Sequence, residues 1–337
     1  MKNNPATIKD IARKLNLSVT TISKALRGMP DISVPTRQLI VETARQMDYQ
    51  PNPIAQSLVK NQTHNIGVII PSFTIPFYAS AISGIQQTAA EAGYNIMVCQ
   101  SNESVATEIT YTQLLLNNRV DGLIVSLSRE TTSFDHFAPL IRRSIPLVFF
   151  NRVSEEMPVS KVVVDDYQGA YRAVSYLIER GCRRIAHIAG PENLLLSQQR
   201  LKGYVDAMRE AGLSVPDEYI RHGDLTIANG AFITSELLTD VNPPDAVFAV
   251  CDSAAFGALQ AAKSRELNIP SDLALVGFTD EPVAAIVEPA LTTVAQPIFD
   301  IGQVAAKLFL DQIRLGESYT PTTHVLETRL VVRQSTP

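Results

Sequence analysis

Apolar positions between residues 7 and 50 recur at helical spacing. Ile8, Ile11, Ala12 and Leu15 stand at i, i+3, i+4 and i+7, which predicts a helix over 8–15 with one apolar face, capped by Thr7. After the turn at Asn16-Leu17, Ser18 can cap a second helix that carries Ile22, Ala25 and Leu26 inward and ends near Gly28. Pro30 and Pro35 bound a loop, and a third helix is expected from Thr36 to Met47. Two short helices joined by a tight turn, with a third in support, form a helix-turn-helix. Pro51 and Pro53 then break the pattern, and Asn52-Pro53 is an N-cap and first-turn pair for a further short helix. Such a helix is marginal alone, because nucleation is unfavourable below roughly 12–15 residues.

From Asn65 the pattern changes. Short apolar runs alternate with helical segments: 66–70, 96–99, 122–127, 147–150, 161–164, 184–189, 246–250 and 273–278. Two-sided apolar runs separated by helices are the signature of parallel sheets in α/β layers. About eight such units exceed one small sheet, so the region reads as two similar α/β subdomains. The expected fold is an N-terminal all-α helix-turn-helix head plus an α/β body of two parallel-sheet subdomains. A chain of 337 residues suits two or three domains.

Charge separates the same two parts. The chain as a whole carries a formal −5, but residues 1–62 hold nine Lys/Arg and four Asp/Glu, while the remainder holds 20 and 30. A basic head on an acidic body is the footprint of a nucleic-acid-binding module attached to something else, although a chance excess on a solvated face gives the same count. No apolar stretch of about 18 residues predicts a membrane span, and the polar start lacks a secretory core. Cys99, Cys182 and Cys251 are scattered without metal-ligand spacing and read as free thiols of a reducing cytosol. No metal or cofactor is expected.

Three stretches together resemble the lactose/purine-repressor (LacI/GalR) family. They are Thr7-Ile-Lys-Asp-Ile-Ala with Leu17-Ser-Val-Thr-Thr-Ile-Ser-Lys-Ala-Leu-Arg-Gly; then Tyr49-Gln-Pro-Asn-Pro-Ile-Ala-Gln-Ser-Leu running into Ile66-Gly-Val-Ile-Ile-Pro; and a body set. That set is Asp121-Gly-Leu-Ile, Arg184-Ile-Ala-His-Ile-Ala-Gly-Pro, Arg200-Leu-Lys-Gly-Tyr, Val276-Gly-Phe and Leu291-Thr-Thr-Val. Each motif alone is weak; their order and spacing across essentially the whole chain is specific. The resemblance implies a periplasmic-binding-protein-like body with an effector in the cleft between subdomains. It also implies a homodimer, sometimes a dimer of dimers, that binds palindromic double-stranded operator DNA in the bacterial cytoplasm and nucleoid, with no membrane role. Its boundaries would be a head over 1–50, a hinge over 51–62, one subdomain over 63–163 with 294–322, and the other over 164–293 with 323–337.

The resemblance places the base-reading positions on Val19, Thr20 and Lys24. Val19 and the Thr20 methyl suit thymine methyl groups, and Lys24 suits guanine O6 and N7. Thr7, Ser18, Thr21 and Ser23 would bind phosphate, which positions without specifying. Arg27 stands where the family often has Asn and can add a backbone or flanking contact. In the hinge, Asn52 and Ala55 accompany Leu58, the residue that would wedge into the minor groove at the operator centre.

In the cleft, Arg200 falls on the family arginine that holds effector oxygens, and its fork of donors suits vicinal hydroxyls or a carboxylate. Asn151 and Ser126 are polar candidates, and Phe77 or Tyr78 can form an apolar wall. Three positions depart from the family. Thr279, followed by Asp280, replaces a carboxylate; Leu225 replaces an aromatic; Cys251 replaces Asn or Ser. Leu225 and Cys251 also fit ordinary core packing. Without a carboxylate at 279, Arg200 lacks a local counter-charge and cannot deprotonate, so an acidic sugar or sugar phosphate is expected to supply it. Asp280, Asp224 or Asp165 could supply it instead. For the dimer, the resemblance places the helix over 252–262 near the two-fold axis, with Phe256 as its large apolar contact.

Two other classes compete. An enzyme would need a phosphate loop, a metal cluster or a nucleophile elbow, and none is present in the sequence; the five histidines are dispersed, with His187 reading as a satisfied core residue. A sugar-binding protein without a DNA role would share the body but has no use for the basic head.

Overall fold

A computed structural model describes residues 6–50 and 62–337, and the chain divides into two units, Met1–Thr63 and His64–Pro337. Among the described residues the first holds three helices: α1 (Ile8–Leu15), α2 (Val19–Leu26) and α3 (Val34–Gln46). Ile11, Ile22 and Ile40, one from each helix, are fully buried at its centre, ringed by Ala12, Ala25 and Ala44. Burying each isoleucine is worth about 1.5–3 kcal/mol. Asn16 closes α1 in the left-handed region at φ 51, a conformation that Asn tolerates better than most residues. Helix α3 begins two residues before the expected Thr36, and Pro35 lies inside its first turn with Ser33 as cap. Proline is no breaker there, because first-turn amides have no partner within the helix.

The second unit is built on two sheets. The first contains β1 (Asn65–Ile70), β2 (Asn95–Gln100), β3 (Gly122–Val125), β4 (Leu147–Phe150), β5 (Ser160–Val164) and β11 (Thr323–Leu326), in the order β11-β5-β4-β3-β1-β2. The second contains β6 (Ile185–Ala189), β7 (Ile220–His222), β8 (Ala246–Ala249), β9 (Ala274–Thr279), β10 (Thr292–Ala295) and β12 (Arg329–Val331), in the order β12-β10-β9-β8-β6-β7. Pairing is parallel, with Ile66 opposite both Ile96 and Gly122, except where β12 runs antiparallel to β10. The central strands read as unbroken apolar runs because helices cover both faces; Leu147–Phe150 and Ala246–Ala249 are buried along their whole length.

Helix α4 (Pro76–Glu91) follows β1, and α5 (Val105–Asn117) and the short α6 (Ala138–Arg142) follow later in the first layer. Helices α7 (Asp166–Glu179), α8 (Leu195–Glu210), α9 (Ile227–Leu237) and α10 (Asp252–Ser264) serve the second. Helix α11 (Ile298–Leu315) returns to the first sheet and packs on α4 with backbones in close approach: a Cβ on Gly84 would collide with the Phe299 carbonyl, and one on Gly302 with that of Ala81.

The chain leaves the first sheet after Val164, returns between Ala295 and Ile298, and leaves again after Leu326. The expected division at 322 is therefore corrected: Thr323–Leu326 pairs in parallel with β5 and belongs to the first sheet. Likewise Val294 and Ala295 pair with Phe278 and Thr279 in the second. All eight apolar runs become strands; β7, β10, β11 and β12 were not anticipated.

Candidate functional sites: the second head helix and the cleft between the sheets

In the head, the start of α2 is an exposed, mostly uncharged surface. Ser18 caps it, its Oγ accepting the Thr21 N–H at 3.0 Å and lying 2.8 Å from Thr21 Oγ1. That bond fixes the helix start so that Val19, 42% exposed, and Thr20 face solvent side by side. Thr7 is tied to its own helix, with its N–H and Oγ1 donating to Asp10 Oδ2 at 2.9 and 2.6 Å. Ser23 is half-buried. Lys24 Nζ lies 2.5 Å from Asp31 Oδ2, and this bond holds the Asp31 carboxyl below its ordinary pKa. Arg27 folds back, its Nε donating to the Ser23 carbonyl at 3.2 Å. The hinge positions Asn52, Ala55 and Leu58 lie outside the described residues.

In the body, a cleft opens where strands of both sheets end. Its walls come from Ile75, Phe77 and Tyr78 after β1, Asn151 and Arg152 after β4, and Leu196 and Arg200 on α8. Leu225 after β7, Cys251 and Ser253 after β8, Thr279 and Glu281 at the end of β9, and Gln296 after β10 complete them. The carboxyl ends of parallel strands are where open α/β sheets bind ligands, and the space left between these side chains, about 70 Å³, opens to solvent.

The second-sheet wall is organised around Arg200, 3% exposed. Its Nε and Nη2 both donate to Asp166 Oδ1, at 2.8 and 2.6 Å; its Nη1 donates to the Val250 carbonyl at 2.6 Å; and its plane lies 3.6 Å from the Phe278 ring centre. Burial pushes the Asp166 carboxyl up and the Arg200 charge opposes it. The arginine therefore has its counter-charge, and the basis for expecting an acidic effector is corrected. None of the three suggested carboxylates faces it. Asp280 accepts from Arg333 Nη2 at 2.7 Å and does not line the cleft, Asp224 meets Arg129, and Asp165 caps α7 through the Gln168 N–H. The partner is Asp166, one residue further into that helix.

The first-sheet wall mirrors this. Arg152, 5% exposed, donates from Nη1 to Glu103 Oε2 at 2.6 Å. Asn151, at φ 58, donates its amide to the Tyr78 hydroxyl at 3.3 Å. Ser126 lies behind that wall rather than on it, fully buried with its Oγ 3.1 Å from the Tyr78 hydroxyl. Both Phe77 and Tyr78 form the apolar wall. Leu225 and Cys251 line it too, and burial pushes the Cys251 thiol up to about 12, so it behaves as a small neutral packing group. Glu281, 6% exposed, is pushed up to about 7 by burial and by Asp252; Asp252 itself is pushed up to about 6, chiefly by burial.

Sequence reasoning missed the wall residues Ile75, Leu196 and Ser253 and, more consequentially, Arg152, Asp166, Glu281 and Gln296. Three of them sit immediately beside positions that were named: Arg152 follows Asn151, Asp166 follows Asp165, and Glu281 follows Asp280. Phe256 leans half-buried on the core of its own sheet layer. His187 is satisfied on one side only: Nδ1 lies 2.9 Å from the Phe248 carbonyl while Nε2 has no partner, and burial lowers its pKa to about 4. No helix is long and apolar enough to cross a membrane among the described residues.

Two family models match the chain. Residues 7–52 match bacterial regulatory proteins of the lacI family, and residues 63–331 match periplasmic binding proteins and the sugar-binding domain of the LacI family. The HTH-type transcriptional repressor CytR of Escherichia coli (strain K12) is 36% identical over 98% of this chain and 96% of its own length. A solved lac repressor dimer, bound to operator and the anti-inducer ONPF, superposes with a TM-score of 0.86 at 25% identity, over 98% of this chain and 99% of that one. A complex of the transcriptional regulator CelR with cellobiose superposes at 0.74, with 30% identity over 98% and 99% of the two chains.

Proposed function

The chain belongs to the lacI family of bacterial regulatory proteins and is a DNA-binding transcriptional repressor with a sugar-binding domain; from that premise we propose that it is a homodimer whose affinity for a palindromic operator is set by a small sugar or sugar derivative held between the two sheets. The observation that carries this reading is the cleft: two buried arginines, each already fixed by a carboxylate, face a space lined by side chains from both sheets. Donors fixed before the ligand arrives give specificity at low ordering cost. The lac repressor dimer with its operator and the CelR–cellobiose complex show relatives doing each half of this task.

In this reading Val19 and Thr20 contact thymine methyl groups, Lys24 reads guanine, and Thr7, Ser18, Thr21, Ser23 and Arg27 meet phosphates. The hinge contributes Asn52, Ala55 and Leu58, with Leu58 as the minor-groove wedge. The effector acts by favouring the closed body. Arg129, after β3, already bridges the sheets: its Nη1 donates to the Asp224 carbonyl at 3.2 Å, and its own carbonyl accepts from Asn193 Nδ2 at 2.6 Å. A ligand that touches both walls biases the same state, and only that difference in affinity can shift the equilibrium. Phe256, on α10, is assigned to the dimer contact.

The test is fluorescence anisotropy of the full chain on duplexes selected from a random pool, with and without a sugar panel. The expected outcome is a palindromic preference that one sugar modulates. Binding of sugar with no sequence preference on DNA would establish the alternative, a binding protein without a DNA role. Phe256→Asp should give monomers by light scattering, because a two-fold contact doubles any charge placed on it.

A further inference from the structure

Within the reading of the cleft as the effector site, one carboxylate has no established role. We propose that Glu281 is the group with which this cleft selects its effector, and that together with Gln296 it selects an uncharged polyol that presents hydroxyl hydrogens and excludes acidic ligands.

The backbone explains how a residue two positions past Thr279 reaches the site. Thr279 and Asp280 both adopt positive φ, 139 and 62, which turns the chain sharply at the end of β9. Asp280 swings away to Arg333, and Glu281 enters the cleft wall, its N–H anchored on Asp252 Oδ2 at 2.7 Å. The carboxylate lost at 279 is thus restored at 281, on a different branch of the same turn.

The partners then decide what it can bind. Arg200 is paired with Asp166 and Arg152 with Glu103. Glu281 is 94% buried by its 6% exposure, and among the described residues no cation pairs with it. Its one side-chain bond is from Ser253 Oγ, at 3.3 Å. The charge that acts on it is that of Asp252, which already takes the Thr293 hydroxyl at 2.5 Å. A buried carboxylate with so little support is costly until a donor arrives. Gln296 supplies an independent observation: its Nε2 donates to Thr279 Oγ1 at 3.2 Å, and its Oε1 is buried with no partner at all. Two acceptors therefore face the cleft without matching donors. With Glu281 ionised, above about pH 7, a third negative charge beside it and Asp252 would be repelled, whereas hydroxyl hydrogens would form charge-assisted bonds of about 2.5–2.7 Å.

The experiment is titration calorimetry of the full chain with matched probes: ribose, glucose, galactose and cellobiose against ribose 5-phosphate, glucuronate and galacturonate. Wild type should bind at least one neutral probe, and its acidic counterpart about tenfold or more weakly. Glu281→Gln, close to isosteric, should lose about tenfold or more for the neutral probe and narrow the gap to the acid. Glu281→Asp, which keeps the charge but shortens its reach, should fall between, and Asp280→Asn should retain the wild-type preference. Tighter binding of an acidic probe, unchanged affinity in Glu281→Gln, or no binding by any neutral probe overturns the proposal. Operator binding measured on the same samples with and without sugar separates the two claims: its absence under both conditions refutes effector-controlled operator binding and leaves the calorimetric result standing. Unchanged sugar affinity in Arg200→Ala would instead move the effector out of this cleft.

Discussion

The head and the cleft each contain a close ion pair, and the two pairs have opposite physics. Lys24 and Asp31 lie 2.5 Å apart with side chains 39% and 50% exposed. Arg200 and Asp166 lie 2.6 Å apart with 4% and 10% exposed. Water screens the first, so it holds little and yields easily to a polyanion. The second cannot be broken without stranding a charge in low dielectric. The head thus meets a large, highly charged partner with groups that stay in solvent until contact. The cleft walls carry groups whose positions are fixed beforehand, as the proposed small effector would require.

The largest effect that tests this contrast is Asp166→Ala. Arg200 cannot deprotonate to escape, so urea unfolding of the body should show a loss of about 3–5 kcal/mol. Replacing both partners by apolar residues, Arg200→Met with Asp166→Leu, should recover most of it, because the penalty lies in the stranded charge. A loss below about 1 kcal/mol for the single variant would mean that the cleft pair behaves as a surface pair.

On the head side, Lys24→Gln should lower discrimination at one operator base by about 1–3 kcal/mol while leaving the salt slope of binding unchanged. If Lys24 meets a phosphate instead, the slope should fall by about 0.9 and every sequence should weaken alike. Competition between selected and randomised duplexes at several salt concentrations separates these outcomes.

The contrast also explains what was legible in the sequence. The head is local: Ile11, Ile22 and Ile40 sit in three neighbouring helices, and caps such as Ser18 act within one turn, so a reading by periodicity places α1 and the start of α2 residue for residue. The start of α3 shifted by two residues, because Pro35 looks the same in a loop and in a first turn, and the ends of α2 and α3 fell a residue or two short of the expected ones. In the body, the apolar runs revealed the central strands, which are buried on both sides. Three edge strands stayed hidden, Ile220–His222 being short and half polar and Thr323–Leu326 largely exposed, and so did the interior Thr292–Ala295, whose two threonines interrupt the apolar run. In the cleft, Phe77, Asn151, Arg200, Leu225, Cys251 and Thr279 stand on the walls at the positions named from the sequence, but the carboxylates were legible only to within one residue. Whether Asp165 or Asp166 faces Arg200, or Asp280 or Glu281 faces the ligand, is decided by a helix start in one case and two positive φ values in the other. Neither is written in residue type.

A smaller effect follows from Glu281. Its pKa of about 7 and that of Asp252 near 6 lie above their ordinary values, so the folded body holds more protons than the unfolded chain between those limits. Stability from these groups is complete below their ordinary pKa values and is lost as pH rises through the folded ones. The charged groups around Glu281 are Asp252 on α10, Asp280 beside it, and Arg152 and Arg200 on the cleft walls. Glu281→Gln should therefore melt above wild type at pH 8, by about 1–2 kcal/mol once residual hydration is allowed for, and match it at pH 4. A constant offset across that range would show that the carboxylate is as solvated as the groups of the head.

The smallest effect asks whether the head is ready to bind as it stands. If Lys24 reads a base as proposed, it must leave Asp31, which would then be a free anion close to the phosphates. Asp31→Asn removes the competing partner and the repulsion together. Because the pair is exposed, the fold should be nearly indifferent to the change. Operator affinity should rise a few-fold, and the gain should be greater for the selected operator than for random duplex, since only the operator offers Lys24 a guanine. An equal gain on both would assign the effect to net charge alone, because phosphate attraction carries no sequence information. A loss of affinity would mean that Asp31 holds Lys24 in its reading position, and that the head, like the cleft, is organised before its partner arrives.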